Sequence, residues 1–246
     1  MSRNRILISG ASSGLGEGMA KTYAAQGRAL ALCARRTDRL DELKSELGAQ
    51  ASQIAVAGLD VTDVDAVPLV FGALRDELGG LDRVIVNAGL GKGAPIGTGK
   101  AYANLETVRT NLIGALAQIE AAMEIFRAQN SGHLVLISSM SAVHGLPKAQ
   151  AAYSASKAGL SALGEGLQAE LIGSPIKVSV ILPGYIATDI NAGVKSKMMT
   201  DLDTGVAALV AAIDSERGRA VVPRRPWTVV DLALRHLPAA ITRRMV

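Results

Sequence analysis

Residues 6–16 read ILISGASSGLG, an apolar run of strand length that ends in a glycine turn at Gly10, Gly14 and Gly16. Glycine lets the backbone turn tightly and approach a pyrophosphate closely, and the N-terminus of a following helix offers free N–H groups to the anion. The spacing is G-x-x-x-G-x-G, which differs from the more general G-x-G-x-x-G pattern. The segment predicts a strand, a dinucleotide-binding turn and a helix, with an ordinary glycine–serine turn as the alternative.

The alternation of strand and helix continues along the chain. Several apolar runs show no period-two alternation, which is typical of strands buried on both faces of a parallel sheet. The pattern predicts a single doubly wound α/β domain with a parallel sheet of about seven strands and helices on both faces. The candidate strands are Ile6–Ser9, Leu30–Cys33, Ile54–Ala57, Val84–Val86, Leu134–Ser138, Lys177–Leu182 and Ala220–Val222, and the candidate helices lie near 15–27, 38–47, 63–78, 102–129 and 152–173.

Composition narrows the class of protein. The 246 residues are 49% hydrophobic, which excludes extended disorder and suffices for one sizeable core. A single cysteine, Cys33, excludes a disulfide scaffold, and no apolar run reaches the roughly 18–20 residues of a membrane span. The N-terminus lacks a signal-peptide layout, so a cytoplasmic location is expected. Aromatic residues make up 3% of the chain and the three histidines lack metal-ligand spacing, so neither nucleic-acid binding nor a metal site is predicted.

Ligands of doubly wound sheets bind at the carboxyl ends of the strands, so residues that follow strands are informative. The second strand ends at Ala34, where an NAD-binding domain would carry a carboxylate for the ribose 2′-hydroxyl. Arg35 and Arg36 follow, and guanidinium groups pair bidentately with phosphate. The sequence therefore predicts a 2′-phosphate and hence NADP(H); a solvated pair of charges is the alternative.

Polar residues also follow the third and fourth strands. Asp60-Val61 comes after the third strand, and Asn87-Ala88-Gly89 comes after the fourth. A short acid can accept a hydrogen bond from an adenine amino group, and the small Ala-Gly pair leaves room for a ribose or a flat ring. Turn chemistry explains each group equally well, because Asp, Asn and Gly dominate turns.

Tyr153 and Lys157 lie four residues apart and so share one face of a predicted helix. A phenol has an ordinary pKa of about 10, and a neighbouring ammonium is expected to lower the pKa of Tyr153 towards neutrality. Proton transfer is most effective near the operating pH. Ser138 and Ser139 end an apolar strand upstream, where a hydroxyl could hold a substrate carbonyl oxygen beside the tyrosine.

Taken in order, these motifs resemble the short-chain dehydrogenase/reductase family, in its NADP-preferring subgroup, over roughly residues 4–222. The resemblance implies a Rossmann-type domain and NADP(H)-dependent hydride transfer between a nicotinamide and a carbonyl or secondary alcohol. It implies that Tyr153 is the acid/base, that Ser139 polarises the carbonyl, and that Lys157 binds the nicotinamide ribose. The alternatives are a non-catalytic NADP(H)-binding regulatory protein and an NAD-linked alcohol dehydrogenase.

The same resemblance supplies the remaining site residues. Asn111 would anchor a water in a proton relay, and the segment after Pro183 would hold the nicotinamide carboxamide. The catalytic residues so predicted are Asn111, Ser139, Tyr153 and Lys157. The predicted cofactor-binding residues are Gly10, Ser12, Ser13, Gly14, Leu15, Gly16, Arg35, Arg36, Asp60, Val61, Asn87, Ala88, Gly89, Tyr153, Lys157, Pro183, Gly184, Ile186 and Thr188.

The chain departs from the family pattern in one interval. One more residue than usual separates Ser139 from Tyr153, and the extra residue is expected in the loop after Pro147. Ser139 is preferred because its distance from Asn111 fits the family, and Ser138 is the alternative serine. Family members commonly form homodimers or homotetramers through two long helices, here near 102–129 and 152–173, and the same assembly is expected.

Two segments lie outside these motifs. Residues 191–203 follow Thr188 and contain two adjacent methionines, which suits a substrate lid; a connecting helix is the alternative. His144 is a candidate for the substrate pocket, with a solvated loop histidine as the alternative.

A basic tail, 224–246, follows the predicted domain, 1–223. Seven arginines and one aspartate follow position 216, so this end carries +6 and residues 1–216 sum to −2 within the net +4. Pro226 can start a helix, and its apolar stripe has cationic flanks. We expect it to pack on its own domain or a partner subunit, with a membrane surface as the alternative.

Overall fold

A computed structural model describes residues 3–91, 93–194 and 196–236. Seven strands form one parallel sheet in the order β3-β2-β1-β4-β5-β6-β7, which confirms the predicted fold. The order reverses direction between β1 and β4, and this is the switch point at which such sheets bind ligands. The strands are β1 Arg5–Ser9, β2 Ala29–Ala34, β3 Gln53–Gly58, β4 Arg83–Val86, β5 Gly132–Ile137, β6 Ile176–Pro183 and β7 Arg219–Val222.

Helices cover both faces of the sheet. The helices are α1 Gly14–Ala25, α2 Thr37–Leu47, α3 Ala66–Leu78, α4 Ala101–Val108, α5 Gly114–Gln129, α6 Ala151–Glu170, α7 Leu202–Asp214 and α8 Arg224–His236. Successive strand residues point to opposite faces. Ile6 packs in an apolar cluster with α1, α2 and α7, whereas Leu7 packs in a second cluster with α3, α5, α6 and α8.

Two helical features differ from the sequence prediction. The helix predicted near 102–129 is interrupted by a π-helical turn, Arg109–Ile113, between α4 and α5. The connection from β6 to β7 contains α7, which begins at Leu202, near the end of the lid candidate 191–203. Its buried face comprises Val206, Leu209, Val210 and Ile213, an amphipathic pattern that was readable in the sequence.

The start of the basic tail packs on its own domain. Trp227, on α8, is buried with its ring edge-on to Tyr185, and a β-carbon at Gly184 would lie 2.0 Å from that indole. Asp231 is also buried and accepts bidentate hydrogen bonds from Arg219 at 2.7 and 2.9 Å. Leu237, Pro238, Arg243 and Arg244 lie outside the described residues. Within the described ranges, every helix is too short or too polar to cross a bilayer.

A buried polar network occupies the amino end of the sheet. Arg83, only 3% exposed, donates from Nε to His133 Nδ1 at 2.9 Å and forms an ion pair with Asp214. The other imidazole nitrogen lies 2.8 Å from Ser179 Oγ. Because Nδ1 accepts a hydrogen bond, the ring is neutral and Nε2 carries its proton. Burial, together with the nearby Arg83 charge, lowers the pKa of His133 to about 3.

The neutral imidazole predicts a specific loss of stability in acid. Between pH 6.5 and about 3 the unfolded chain binds a proton at position 133 that the folded chain does not, so the free energy of unfolding falls as pH falls. The slope from this one group approaches about 1.4 kcal/mol per pH unit. Urea unfolding of the wild type and of His133→Gln across this range measures it. The variant loses this part of the slope, and identical slopes would contradict the assignment.

Candidate active site

A cavity of about 570 Å³ opens along the carboxyl ends of the strands. Its size falls within the range of small-molecule and cofactor sites. Its lining comes from the loops after β1, β2, β3, β4, β5 and β6 and from the first turns of α6. Residues separated widely in sequence therefore meet in one elongated site, at the edge where ligands of parallel sheets bind.

The glycine turn depends on close backbone packing. Gly10 has φ +65°, and a β-carbon there would lie 2.8 Å from Ala88 Cα. A β-carbon at Gly16 would lie 2.2 Å from the Gly10 carbonyl oxygen, so α1 begins directly against the turn. Ser13 precedes α1 and makes no side-chain capping hydrogen bond. The first-turn N–H groups of α1 therefore lack a side-chain cap, as expected of a phosphate site.

The two arginines after β2 are placed differently. Arg36 donates hydrogen bonds to Ser12 Oγ at 3.2 and 3.3 Å and to the Ser12 carbonyl oxygen at 3.2 Å. Arg35 is exposed beside the cavity, where its charge helps to lower the pKa of Asp60. Ala34 also lines the cavity, so an apolar residue occupies the strand end where a carboxylate would accept a ribose hydroxyl.

Lys157 fastens the start of α6 to the end of β5. Its ammonium donates to the Ile137 carbonyl oxygen at 2.8 Å, and its own carbonyl oxygen accepts from Ser138 Oγ at 2.9 Å. The side chain is 5% exposed, and burial lowers the pKa of Lys157 to about 8. The ammonium nitrogen lies 6.0 Å from the centroid of the Tyr153 ring, and both residues line the cavity.

The pKa of Tyr153 moves opposite to the sequence expectation. Burial raises the pKa of Tyr153 above its ordinary value of 10.0, and a hydrogen bond from Ser139 opposes that shift. Charge proximity alone predicted a lower value, but loss of hydration disfavours the phenolate more strongly here. The phenol is therefore neutral at neutral pH.

The two candidate serines have distinct environments. Ser138 Oγ donates to the Lys157 carbonyl oxygen and lies 2.8 Å from Ser161 Oγ, so its hydroxyl is committed to the α6 backbone and side chains. Ser139 Oγ accepts from Ser141 N–H at 3.1 Å and leaves its own proton for Tyr153. Ser139 is therefore the serine that the structure brings to the phenol.

The longer interval before Tyr153 forms a compact turn. Lys148 adopts φ +58°, in the left-handed region, at the start of the 3₁₀ turn Lys148–Gln150. This turn lies against the loop after β4, where a β-carbon at Gly93 would lie 1.9 Å from the Ala149 carbonyl oxygen. Ser154 Oγ accepts from Leu146 N–H at 3.2 Å and ties the same loop to α6.

Asn111 lies beside the cavity, and its side chain forms hydrogen bonds with the loop that follows β4. Its side chain exchanges two hydrogen bonds with the Leu90 backbone, at 2.7 and 2.8 Å, and donates to Ser156 Oγ at 3.3 Å. Asn111 is fully buried in the π-helical turn. The amide thus fixes the loop that follows Gly89; its part in a proton relay stays a prediction.

The structure brings most of the predicted residues together. Four of them lie outside the cavity lining: Gly16, Asn111, Gly184 and Ile186. Gly16 and Gly184 instead permit close packing, and Ile186 is buried and pairs with Thr200 by a β-bridge. His144 is also absent from the lining. Sequence reasoning missed the lining residues Leu59, Leu90, Gly91, Thr110, Ile137, Asp189 and Ile190.

Known proteins match this chain along nearly its whole length. A sequence model of the family described as short chain dehydrogenase matches residues 4–199. An uncharacterized oxidoreductase of Mycobacterium tuberculosis strain H37Rv is 57% identical over 247 residues, covering 99% of this chain and 98% of the relative. The chain therefore belongs to the short-chain dehydrogenase/reductase family of oxidoreductases.

Solved structures agree on the fold. A short-chain dehydrogenase/reductase from Burkholderia phymatum in complex with NAD has a TM-score of 0.85, 20% identity and coverage of 98% of this chain and 96% of its own. An alcohol dehydrogenase from the archaeon Thermococcus sibiricus complexed with 5-hydroxy-NADP has a TM-score of 0.78, 23% identity and coverage of 89% and 96%. One binds NAD and the other an NADP derivative, so the shared fold does not select a cofactor.

The contact between Gly184 and Trp227 predicts the effect of one added methyl group. Gly184→Ala forces its β-carbon into the indole, and overpacking of this kind costs about 1–3 kcal/mol of unfolding free energy. Gly166→Ala is the matched control, because Gly166 is exposed on α6 with open space around it and alanine favours a helix by up to about 1 kcal/mol. Denaturant unfolding compares the two variants. A Gly184→Ala protein as stable as the wild type would contradict this packing.

Proposed function

We propose that this chain is an NADP(H)-dependent oxidoreductase that transfers hydride between a nicotinamide and a carbonyl or secondary alcohol. The observation that carries the proposal is the shared cavity: Tyr153, Ser139 and Lys157 line it, and the glycine turn before α1 lines it as well. A nucleotide-binding protein without chemistry has no need of a phenol, a serine hydroxyl and a buried ammonium arranged together.

The residues of the cavity fit a dinucleotide. The uncapped start of α1 suits a pyrophosphate, and Gly10 and Gly14 of the preceding turn line the cavity. Asp60 already accepts two hydrogen bonds at one oxygen, Oδ1, from Thr62. Its other oxygen is not engaged in those bonds and is suited to accept from an adenine amino group. When bound, the reduced nicotinamide supplies the hydride.

The protein side of the reaction is proton transfer and charge stabilisation. The neutral Tyr153 phenol donates its proton to the carbonyl oxygen, while the Ser139 hydroxyl donates a hydrogen bond to the same oxygen. With a pKa of about 8, Lys157 is cationic at neutral pH and stabilises the phenolate that proton donation leaves behind. In the reverse direction the phenolate accepts the proton of an alcohol.

The preference for NADP(H) rests on the charges beside Ala34. Arg35 is exposed at the cavity wall and Arg36 is held near the glycine turn by Ser12, so two guanidinium groups flank the place expected for the ribose. A 2′-phosphate pairs with guanidinium groups by charge-assisted hydrogen bonds. The absence of a carboxylate at the strand end supports the same choice over NAD.

Loss of the phenol hydroxyl tests the acid/base assignment. Tyr153→Phe is expected to lower kcat for reduction of a carbonyl substrate by roughly 10²–10⁴-fold, because general acid catalysis contributes that much. NADPH binding, measured by fluorescence of the reduced nicotinamide, stays within a fewfold of wild type. Tyr102→Phe, at a tyrosine that is 69% exposed on α4, is the matched control. Unchanged turnover in Tyr153→Phe would refute the mechanism.

Removal of Arg35 tests the cofactor preference. Arg35→Ala is expected to weaken NADPH binding by roughly 10- to 100-fold, because a hydrogen bond to a charged group contributes about 1.5–3 kcal/mol. NADH binding is expected to change little. Arg39→Ala, at an exposed arginine on α2 that pairs with Glu42, is the control. Equal losses for both cofactors, or an initial preference for NADH, would favour the NAD-linked alternative.

A further inference from the structure

The α8 helix has two faces of different character. Its inward face packs Trp227, Val230 and Leu234 against the core, and its single carboxylate, Asp231, is buried beside Arg219. The outward face presents two aliphatic side chains one turn apart, Val229 at 70% exposure and Leu232 at 61%. The inward face explains why α8 belongs to the domain, but it leaves the exposed aliphatic pair unexplained.

Positively charged residues precede and follow this exposed pair along the chain. Arg224 and Arg225 are exposed before it, and Arg235 is exposed after it. Asp231 binds both Arg219 and Arg235, so the negative charge of α8 is turned inward and neutralised. An aliphatic centre with cationic flanks is the pattern of a helix that lies in a membrane interface.

We propose that Val229 and Leu232, on the outward face of α8, bind an anionic lipid surface together with Arg224 and Arg225, which precede the regular helical turns because the backbone of Arg225 is extended. The two aliphatic side chains enter the headgroup region, and the arginines reach lipid phosphates or carboxylates. Long cationic side chains suit this position, because their stems tolerate apolar surroundings while the charge stays at the polar interface. Contact is peripheral, since α8 remains packed on the domain through Trp227.

Charge favours a lipid surface over the other occupants. Residues 1–216 sum to −2 and the segment after them to +6, so attraction to an anionic surface is concentrated at the end of the chain that carries α8. The aromatic residue of α8 points inward, which leaves the outward face without a platform for stacking nucleic-acid bases. The contacts and exposures that support the proposal belong to described residues, and the proposal is independent of the reaction proposed above.

Vesicle sedimentation of the full chain tests the proposal. Binding is expected to vesicles of phosphatidylcholine with phosphatidylserine, to weaken with salt, and to be absent with phosphatidylcholine alone. The double variant Val229→Asp/Leu232→Asp is expected to lose binding. Its control is Leu69→Asp/Ile172→Asp, which adds the same charge at aliphatic side chains that are 74% and 84% exposed. Circular dichroism and thermal melting verify that each variant is folded.

Substitution of the arginines gives a second measurement. Arg224→Ala/Arg225→Ala is expected to lower the partition coefficient for anionic vesicles by roughly 30-fold, because each basic residue near such a surface contributes about 1 kcal/mol. Arg39→Ala/Arg75→Ala removes two exposed arginines from α2 and α3 and serves as the matched control. If the two double variants lowered the partition coefficient equally, binding would depend on net charge alone, and the proposed site would be wrong.

Three further outcomes would overturn the proposal. Absence of binding to anionic vesicles at low salt would do so directly. A shift in molar mass caused by Val229→Asp/Leu232→Asp in light scattering would show that a second copy covers this face. Strong quenching of Trp227 by brominated lipids would show that α8 leaves the domain, because its indole is buried in the docked arrangement. Weak quenching together with vesicle binding supports the outward face as the contact.

Discussion

The geometry of the cavity where β5 meets α6 depends on one buried lysine. Lys157 donates to the carbonyl oxygen at the last residue of β5, and the next residue, Ser138, donates back to the Lys157 carbonyl oxygen. These reciprocal hydrogen bonds fix the first turns of α6 over the sheet edge. Tyr153 lies one turn earlier on the same helix face, so its position beside Ser139 follows from the attachment of Lys157.

Polar groups have different environments at the amino and carboxyl ends of the sheet. At the amino end, Arg83, His133 and Asp214 satisfy one another, and this part of the sheet is a closed network. At the carboxyl end, Gly10 packs closely against the backbone of Ala88, and the first turn of α1 lacks a side-chain cap. The N–H groups of an uncapped first helical turn are hydrogen-bond donors that a helix N-terminus offers to an anion.

Sequence reasoning succeeded where a local pattern carries the information. Continuous apolar runs predicted all seven strands. The glycine turn and Arg35 were predicted from their position after strands, and Tyr153 from its spacing to Lys157; all three line the cavity. Sequence reasoning missed α7, although Val206 and Leu209 have helical spacing. It also missed the π-helical turn around Asn111, which no local sequence pattern indicates. Ile190 and Gly91 meet across the cavity by tertiary contact alone. The pKa of Tyr153 was misjudged because charge spacing is visible in a sequence and hydration is not.

The contact between Gly93 and Ala149 links two segments that are far apart in the chain. No side chain fits at position 93 while the Ala149 carbonyl oxygen stays where it is, since a β-carbon would lie 1.9 Å from it. The longer interval before Tyr153 places that carbonyl there. Loop length and residue identity are thus coupled in this chain: a side chain at position 93 requires the turn after Pro147 to move, and a shorter turn would remove the requirement for glycine.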